Sequence, residues 1–143
     1  NPQIAIGGAV VFRDSRGKRQ WLLAKQKEDS DWEIPKVTVR KGESSVRSVI
    51  RLTSEQGGMT TRVLEEAGRT TGNTIINGKP VSQKYYYYLM FQKSGAIEIV
   101  GLGDFQLLEY AKSMKKLNLK REKEMLKAAK DVLKEWEKTH KLK

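Results

Sequence analysis

Residues 4 to 12 (IAIGGAVVF) and 20 to 26 (QWLLAKQ) run apolar or alternate apolar with polar, so both predict strands; Asp14-Ser15-Arg16-Gly17 between them predicts a turn. A third strand is predicted over residues 60 to 68, and Asn77-Gly78 marks a tight turn. After it VSQKYYYYLMFQ (81 to 92) and AIEIV (96 to 100) read as two more strands. Along such a strand Tyr85 to Tyr88 should alternate between faces, two to the core and two outward. Core packing is the simpler reading of the outward pair, and a platform for a base is the alternative.

Two stretches change period from two to about three and a half. Ser44 or Ser45 is a natural N-cap, and Val46, Val49, Ile50 and Thr53 then follow at i, i+3, i+4 and i+7, giving a helix with one apolar stripe. Gly57-Gly58 ends it. On a second face Leu52, Glu55 and Gln56 stand at i, i+3 and i+4, where side chains are predicted to converge on one point. Near the C-terminus Met125, Leu126, Ala129, Val132, Leu133 and Trp136 form the stripe of a closing helix. Mixed strands with these two helices predict an α/β sandwich.

At 143 residues the chain is expected to be a single domain, 1–143, with a basic C-terminal helix. There is no cysteine, which removes disulfides and thiolate zinc sites, and the lone His140 lies in a lysine-rich tail. No apolar run reaches membrane-spanning length, and the N-terminus has no evident signal-peptide pattern, so no membrane partner is expected and the expected compartment is the cytoplasm. Net charge is +11, and the last 33 residues, with twelve Lys/Arg against five Asp/Glu, hold +7 of it. Such a field draws polyanions. A solvated lysine face is the simpler reading of that helix, and an anion-binding face the alternative.

Residues Asp31 to Met59, DWEIPKVTVRKGESSVRSVIRLTSEQGGM, resemble the signature of the Nudix pyrophosphohydrolases: Gly, five residues, Glu, seven residues, then Arg-Glu-(apolar)-x-Glu-Glu-x-Gly-(apolar). Glu43, Arg51, Glu55, Gly58 and Met59 match. Val37, Leu52, Thr53 and Gln56 depart, and two of these replace carboxylates. A second register would set Glu65-Glu66-Ala67-Gly68 on the end of the box, at the cost of a ten-residue insertion after Glu43. Trp32-Glu33-Ile34-Pro35-Lys36 looks like the lead-in of the dinucleoside-polyphosphate and diphosphoinositol branches, GGAVVF and WLLAKQK are similar to the first two strands, and residues 105 to 129 resemble the closing helical region. The fold this implies is an α/β/α sandwich around a mixed sheet.

The resemblance implies a site in which Glu43, Arg51, Glu55 and Gln56 occupy the catalytic positions, with Glu55 as the retained metal ligand. Magnesium binds through carboxylates and substrate phosphates, so the two losses imply weak or absent magnesium binding. Restoring Leu52→Glu with Gln56→Glu is expected to raise metal affinity. From Lys36 to Met59 the 24 residues carry five basic and two acidic side chains, which favours phosphate over a metal ion. Lys36, Arg40 and Lys41 are the expected substrate contacts. Three functions compete. One is binding of a nucleotide, polyphosphate or RNA phosphate with weak or lost pyrophosphohydrolase activity. Another is an active magnesium-dependent hydrolase, to which Glu98, Asp104 or Glu109 would supply ligands. The last is a structural RNA-associated module. The expected partners are a phosphate-rich small molecule and RNA.

Overall fold

The computed structural model describes residues 2–94 and 104–142. The strands are β1 (Gln3–Ser15), β2 (Lys18–Lys25), β3 (Lys36–Thr38), β4 (Thr60–Ile76), β5 (Lys79–Ser94) and β6 (Asp104–Leu108). The helices are α1 (Ser45–Ile50), which continues as a π-helical stretch from Arg51 to Gln56, then α2 (Tyr110–Lys116) and α3 (Lys120–Glu137). The strand proposed for residues 96 to 100, and Glu98 within it, lie outside the described residues.

The sheet is mixed, in the order β4-β5-β1-β2-β6, with β3 as an additional partner of β1. β1 runs parallel to β5 over Gln3 to Phe12 and antiparallel to its other neighbours. It changes neighbour along its length: its far half, Phe12 to Ser15, pairs with β2, while Ile6 to Gly8 pairs with β3. That splaying opens a gap in the sheet where the Glu33–Thr38 segment enters.

Alternation along the strands divides the core in two. Val10, Phe12, Trp21, Leu23, Tyr85, Tyr87 and Leu89 face α3, whose Leu126, Ala129, Leu133 and Trp136 are buried on them. Ala9, Val11, Leu22 and Met90 face the other way, against Val49 and Leu52 of the box helix. The result is the expected α/β/α sandwich. Gly7 and Gly8 are set by this arrangement, because a Cβ on Gly7 would overlap Ser48 Oγ and one on Gly8 would overlap the Tyr87 ring. α1 and Tyr87 thus rest directly on the β1 backbone.

Several elements differ from the sequence reading. The third strand runs on to Ile76, because Thr71 to Ile76 continue the ladder with β5, and Asn77 and Gly78, both at positive φ, close a two-residue hairpin. Phe105–Leu108, placed with the closing helical region, forms β6 instead, since β2 offers it an edge from Trp21 to Ala24. Tyr88 does not point simply outward: its hydroxyl meets Ser45 Oγ at 2.6 Å because the box helix covers that face as well.

Candidate functional site

The segment leading to the box helix is held from two directions. From below, Glu122 of α3, fully buried, accepts from the Ile34 amide at 2.8 Å, from Lys36 Nζ at 2.5 Å and from the Tyr87 hydroxyl at 2.5 Å. Lys36 also donates to Glu33 and to the Ile34 carbonyl, at 2.6 and 2.9 Å. Burial, and then the charge of Glu122, push the Tyr87 phenol well above its ordinary value, so it stays a donor. From above, a turn with Gly42 at φ +80° brings Glu43 under Arg51. Two parallel bonds of 2.9 Å join Arg51 Nε and Nη2 to the two Glu43 oxygens, and Nη2 reaches the Thr38 carbonyl at 3.1 Å.

The Arg51 guanidinium, followed by the Arg40 amide, holds the Glu43 carboxyl down to about 2. A depressed carboxyl stabilises the fold above its unfolded value and loses that contribution as pH falls through the folded one. Glu43→Gln should therefore be less stable than the parent at pH 6, and the two should converge between about pH 4.5 and pH 2. Denaturant unfolding at a series of pH values measures this, and a gap that stays constant over that range would show that Arg51 does not depend on an ionised Glu43.

In the box helix the Ser44 hydroxyl accepts from the Arg47 amide at 3.2 Å, as a cap should. Thr53 Oγ1 and Ser54 Oγ then donate to the Val49 and Ile50 carbonyls, at 3.0 and 2.6 Å. Those are the acceptors that the α-helical amides of the same two residues would take, and the hydroxyl bonds accompany the widened π register from Arg51 to Gln56. Gly58 at φ +62° ends the helix.

The expected convergence of Leu52, Glu55 and Gln56 does not occur. Leu52 stands on the boundary between two faces and, being apolar, takes the core side, 3% exposed among Val11, Leu22, Val49, Met59 and Met90. Glu55 is exposed and Gln56 half-buried. Two of the candidate site residues have partners within the fold. Arg51 is buried and committed to Glu43, and Lys36 is committed to Glu122 and Glu33. Arg40 and Lys41 are exposed and in no ion pair among the described residues. Glu65 and Glu66 lie on β4, outside the helix, with Glu66 paired to Arg69.

Where β1 splays, Ile6, Gln26, Glu33, Lys36, Val37, Thr38 and Tyr85 line a cleft of about 190 Å³. The Arg121 guanidinium lies 4.2 Å over the Tyr85 ring, whose hydroxyl donates to Gln83 at 2.9 Å. Sequence reasoning missed Glu122 and Gln26, and it named Tyr85 only as one of four tyrosines with a base platform as the alternative role. Glu122 had a signal: it sits at i−4 from Leu126, a carboxylate on the apolar stripe of α3.

The architecture superposes on a C. elegans Ap4A hydrolase, seen in a binary complex, with TM-score 0.71 at 22% identity, covering 92% of this chain and 98% of that one. The chain has the Nudix fold. The NUDIX domain of Shewanella oneidensis NrtR complexed with ADP ribose gives TM-score 0.70 at 17% identity over 93% and 90% of the two chains. The MutT protein from Methanosarcina mazei Go1 gives 0.67 at 18% identity, over 94% and 97%. No family model matches the sequence, and no curated protein matches it.

Magnesium needs hard oxygen ligands in near-octahedral array. Leu52 is turned into the core, Gln56 carries no charge and Glu43 is spent on Arg51, which leaves Glu55. Among the described residues no three His, Cys, Asp or Glu gather to hold a metal ion, and the described donors of the box stretch do not by themselves fit one. Among those residues, too, no helix is long and apolar enough to cross a membrane.

Proposed function

We propose that this chain binds a nucleotide or a nucleotide-linked polyphosphate in the cleft beside the box, with weak or lost pyrophosphohydrolase activity. The burial of Leu52 carries this reading: a side chain packed in the core at a carboxylate position of the box gives a metal ion nothing to bind. The Ap4A hydrolase and the ADP-ribose complex among the similar structures support a ligand of this class. The cleft itself offers an aromatic ring, Tyr85, with apolar Ile6 and Val37, and its lining segment runs on from Thr38 to exposed Arg40 and Lys41.

Diadenosine polyphosphates, ADP-ribose and ATP should saturate the protein at one equivalent by calorimetry, and binding should persist in EDTA. Phosphate release with magnesium or manganese should stay near background. A turnover of about 1 per second would place the chain among working enzymes and overturn the reading. Arg40→Ala should weaken binding about tenfold, more than Lys41→Ala, because a guanidinium engages phosphate through two bonds and a lysine through a point charge.

A further inference from the structure

The lysines of the two C-terminal helices are not equivalent. On α3 and its C-cap, Lys120, Lys127 and Lys138 each sit beside a carboxylate, at 3.9 Å from Glu124, 3.8 Å from Asp131 and 2.9 Å from Glu135. Lys123, Lys130 and Lys134 are in no ion pair among the described residues, and Lys130 lies 4.0 Å over the Tyr110 ring. On α2, Lys112, Lys115 and Lys116 are exposed, and among the described residues none of them is in an ion pair. Their i, i+3, i+4 spacing puts them on one side of the helix, and with Leu108 they line a groove of about 350 Å³. They cannot turn inward, because Ser113 is buried on the opposite side with Tyr110 and Met114 packed beside it.

An aromatic ring is fixed next to this cation set. The Lys116 ammonium lies over the Trp32 ring at 5.4 Å from its centre, and Lys25 from β2 lies over the same ring at 5.2 Å. Trp32 is half-buried and anchored to the end of α2: its backbone bridges to Leu117, and Asn118 Nδ2 donates to Asp31 Oδ1 at 2.9 Å. The helix C-terminus favours cations at Lys115 and Lys116. It does not account for Lys25 and Trp32, which arrive from β2 and from the loop after it.

We propose that the outer face of α2, together with Lys25 and Trp32, is a binding surface for single-stranded nucleic acid. Proteins that hold single strands combine a positive groove along the phosphates with aromatic rings on which bases stack, and stacking needs bases that a duplex keeps covered. A groove lined by Lys112, Lys115 and Lys116, with Lys116 and Lys25 over a half-buried indole beside it, supplies both parts. The surface is built from α2, β2 and the Asp31–Trp32 segment and shares no residue with the lining of the cleft, so it does not rest on the nucleotide reading.

The test is fluorescence anisotropy of a short labelled single strand with the full chain, over a series of salt concentrations. Lys112→Gln/Lys115→Gln/Lys116→Gln should flatten the logarithmic salt dependence by about 2 and lower affinity roughly hundredfold at ~0.1 M salt, since each phosphate contact of a single strand contributes about 0.7 to that slope. Lys120→Gln/Lys127→Gln/Lys138→Gln removes the same charge and should change affinity severalfold at most. Trp32→Leu should weaken the single strand about fivefold or more while leaving a duplex of the same sequence unchanged. Circular dichroism and thermal unfolding confirm that each variant is folded, and calorimetry with a diadenosine polyphosphate reads the cleft separately, where neither lysine triple should matter. Equal losses from the two triples, equal binding of single strand and duplex, or no binding of the strand at low salt would each overturn the proposal.

Discussion

Glu122→Ala is expected to lower the stability of the fold by about 3 to 5 kcal/mol, because removing one partner of a buried ion pair leaves the other charge uncompensated. Three donors converge on this carboxylate: the Ile34 amide, the Lys36 ammonium and the Tyr87 hydroxyl. Alanine would leave the Ile34 amide and the Tyr87 hydroxyl without their acceptor, leave Lys36 only Glu33 and the Ile34 carbonyl, and open space beside Tyr87. Glu122→Gln keeps the volume and one oxygen, so it should cost less. Adding Lys36→Met to Glu122→Gln should recover part of the loss, since the orphaned ammonium is then gone. Urea unfolding of the parent, Glu122→Gln, Lys36→Met and the double variant forms a double-mutant cycle, and residues in one network should show a coupling of about 0.5 to 3 kcal/mol. A loss below about 1 kcal/mol for Glu122→Ala would mean that water reaches these donors. The same variants should bind diadenosine polyphosphates less well, because the lost anchor holds the segment that supplies Glu33 and Lys36 to the cleft.

What was legible in the sequence follows from where the information lies. Strands β1 and β2 show as apolar runs buried on both faces and β5 by its alternation, and the Gly7-Gly8 pair records two close approaches that a side chain would obstruct. The box helix announces itself by its cap, its stripe and its glycine stop. Pairings between distant residues are another matter. Nothing local to Lys36 says that it meets a carboxylate 86 positions later, and the excess of basic residues around the box suggested free cations where the fold supplies partners. Arg51 and Glu43 could be set at their positions but not paired, since the pairing needs the turn at Gly42. The π register was hidden because apolar spacing marks a helix without telling its i−4 from its i−5 hydrogen bonds. β6 exists because β2 leaves an edge to be covered, which is a property of the sheet rather than of residues 104 to 108.

Leu52→Glu is the sharpest test of how the box is read. If the resemblance alone decided the matter, this change with Gln56→Glu would rebuild a metal site. The structure leads to the opposite expectation. Truncating a buried leucine typically costs about 2 to 5 kcal/mol, and glutamate at this position would also place a carboxyl among Val11, Leu22, Val49, Met59 and Met90. Leu52→Glu should therefore cost at least about 3 kcal/mol at pH 7, while Leu52→Met stays below about 1.5 kcal/mol. Burial would raise the pKa of the new carboxyl above its unfolded value, so the variant should lose stability as pH rises from 4 to 8, the reverse of the Glu43 dependence. Gln56→Glu, at a half-buried position, should change stability by no more than about 0.5 kcal/mol. Unfolding in EDTA and in millimolar magnesium completes the measurement. A Leu52→Glu/Gln56→Glu chain that is as stable as the parent, and that magnesium stabilises further in proportion to its binding, would show that residue 52 faces the cleft and that the box needs only its carboxylates back. A variant weakened in EDTA and unmoved by magnesium would instead leave residue 52 where its apolar neighbours put it, as part of the core that fixes the box helix to the sheet.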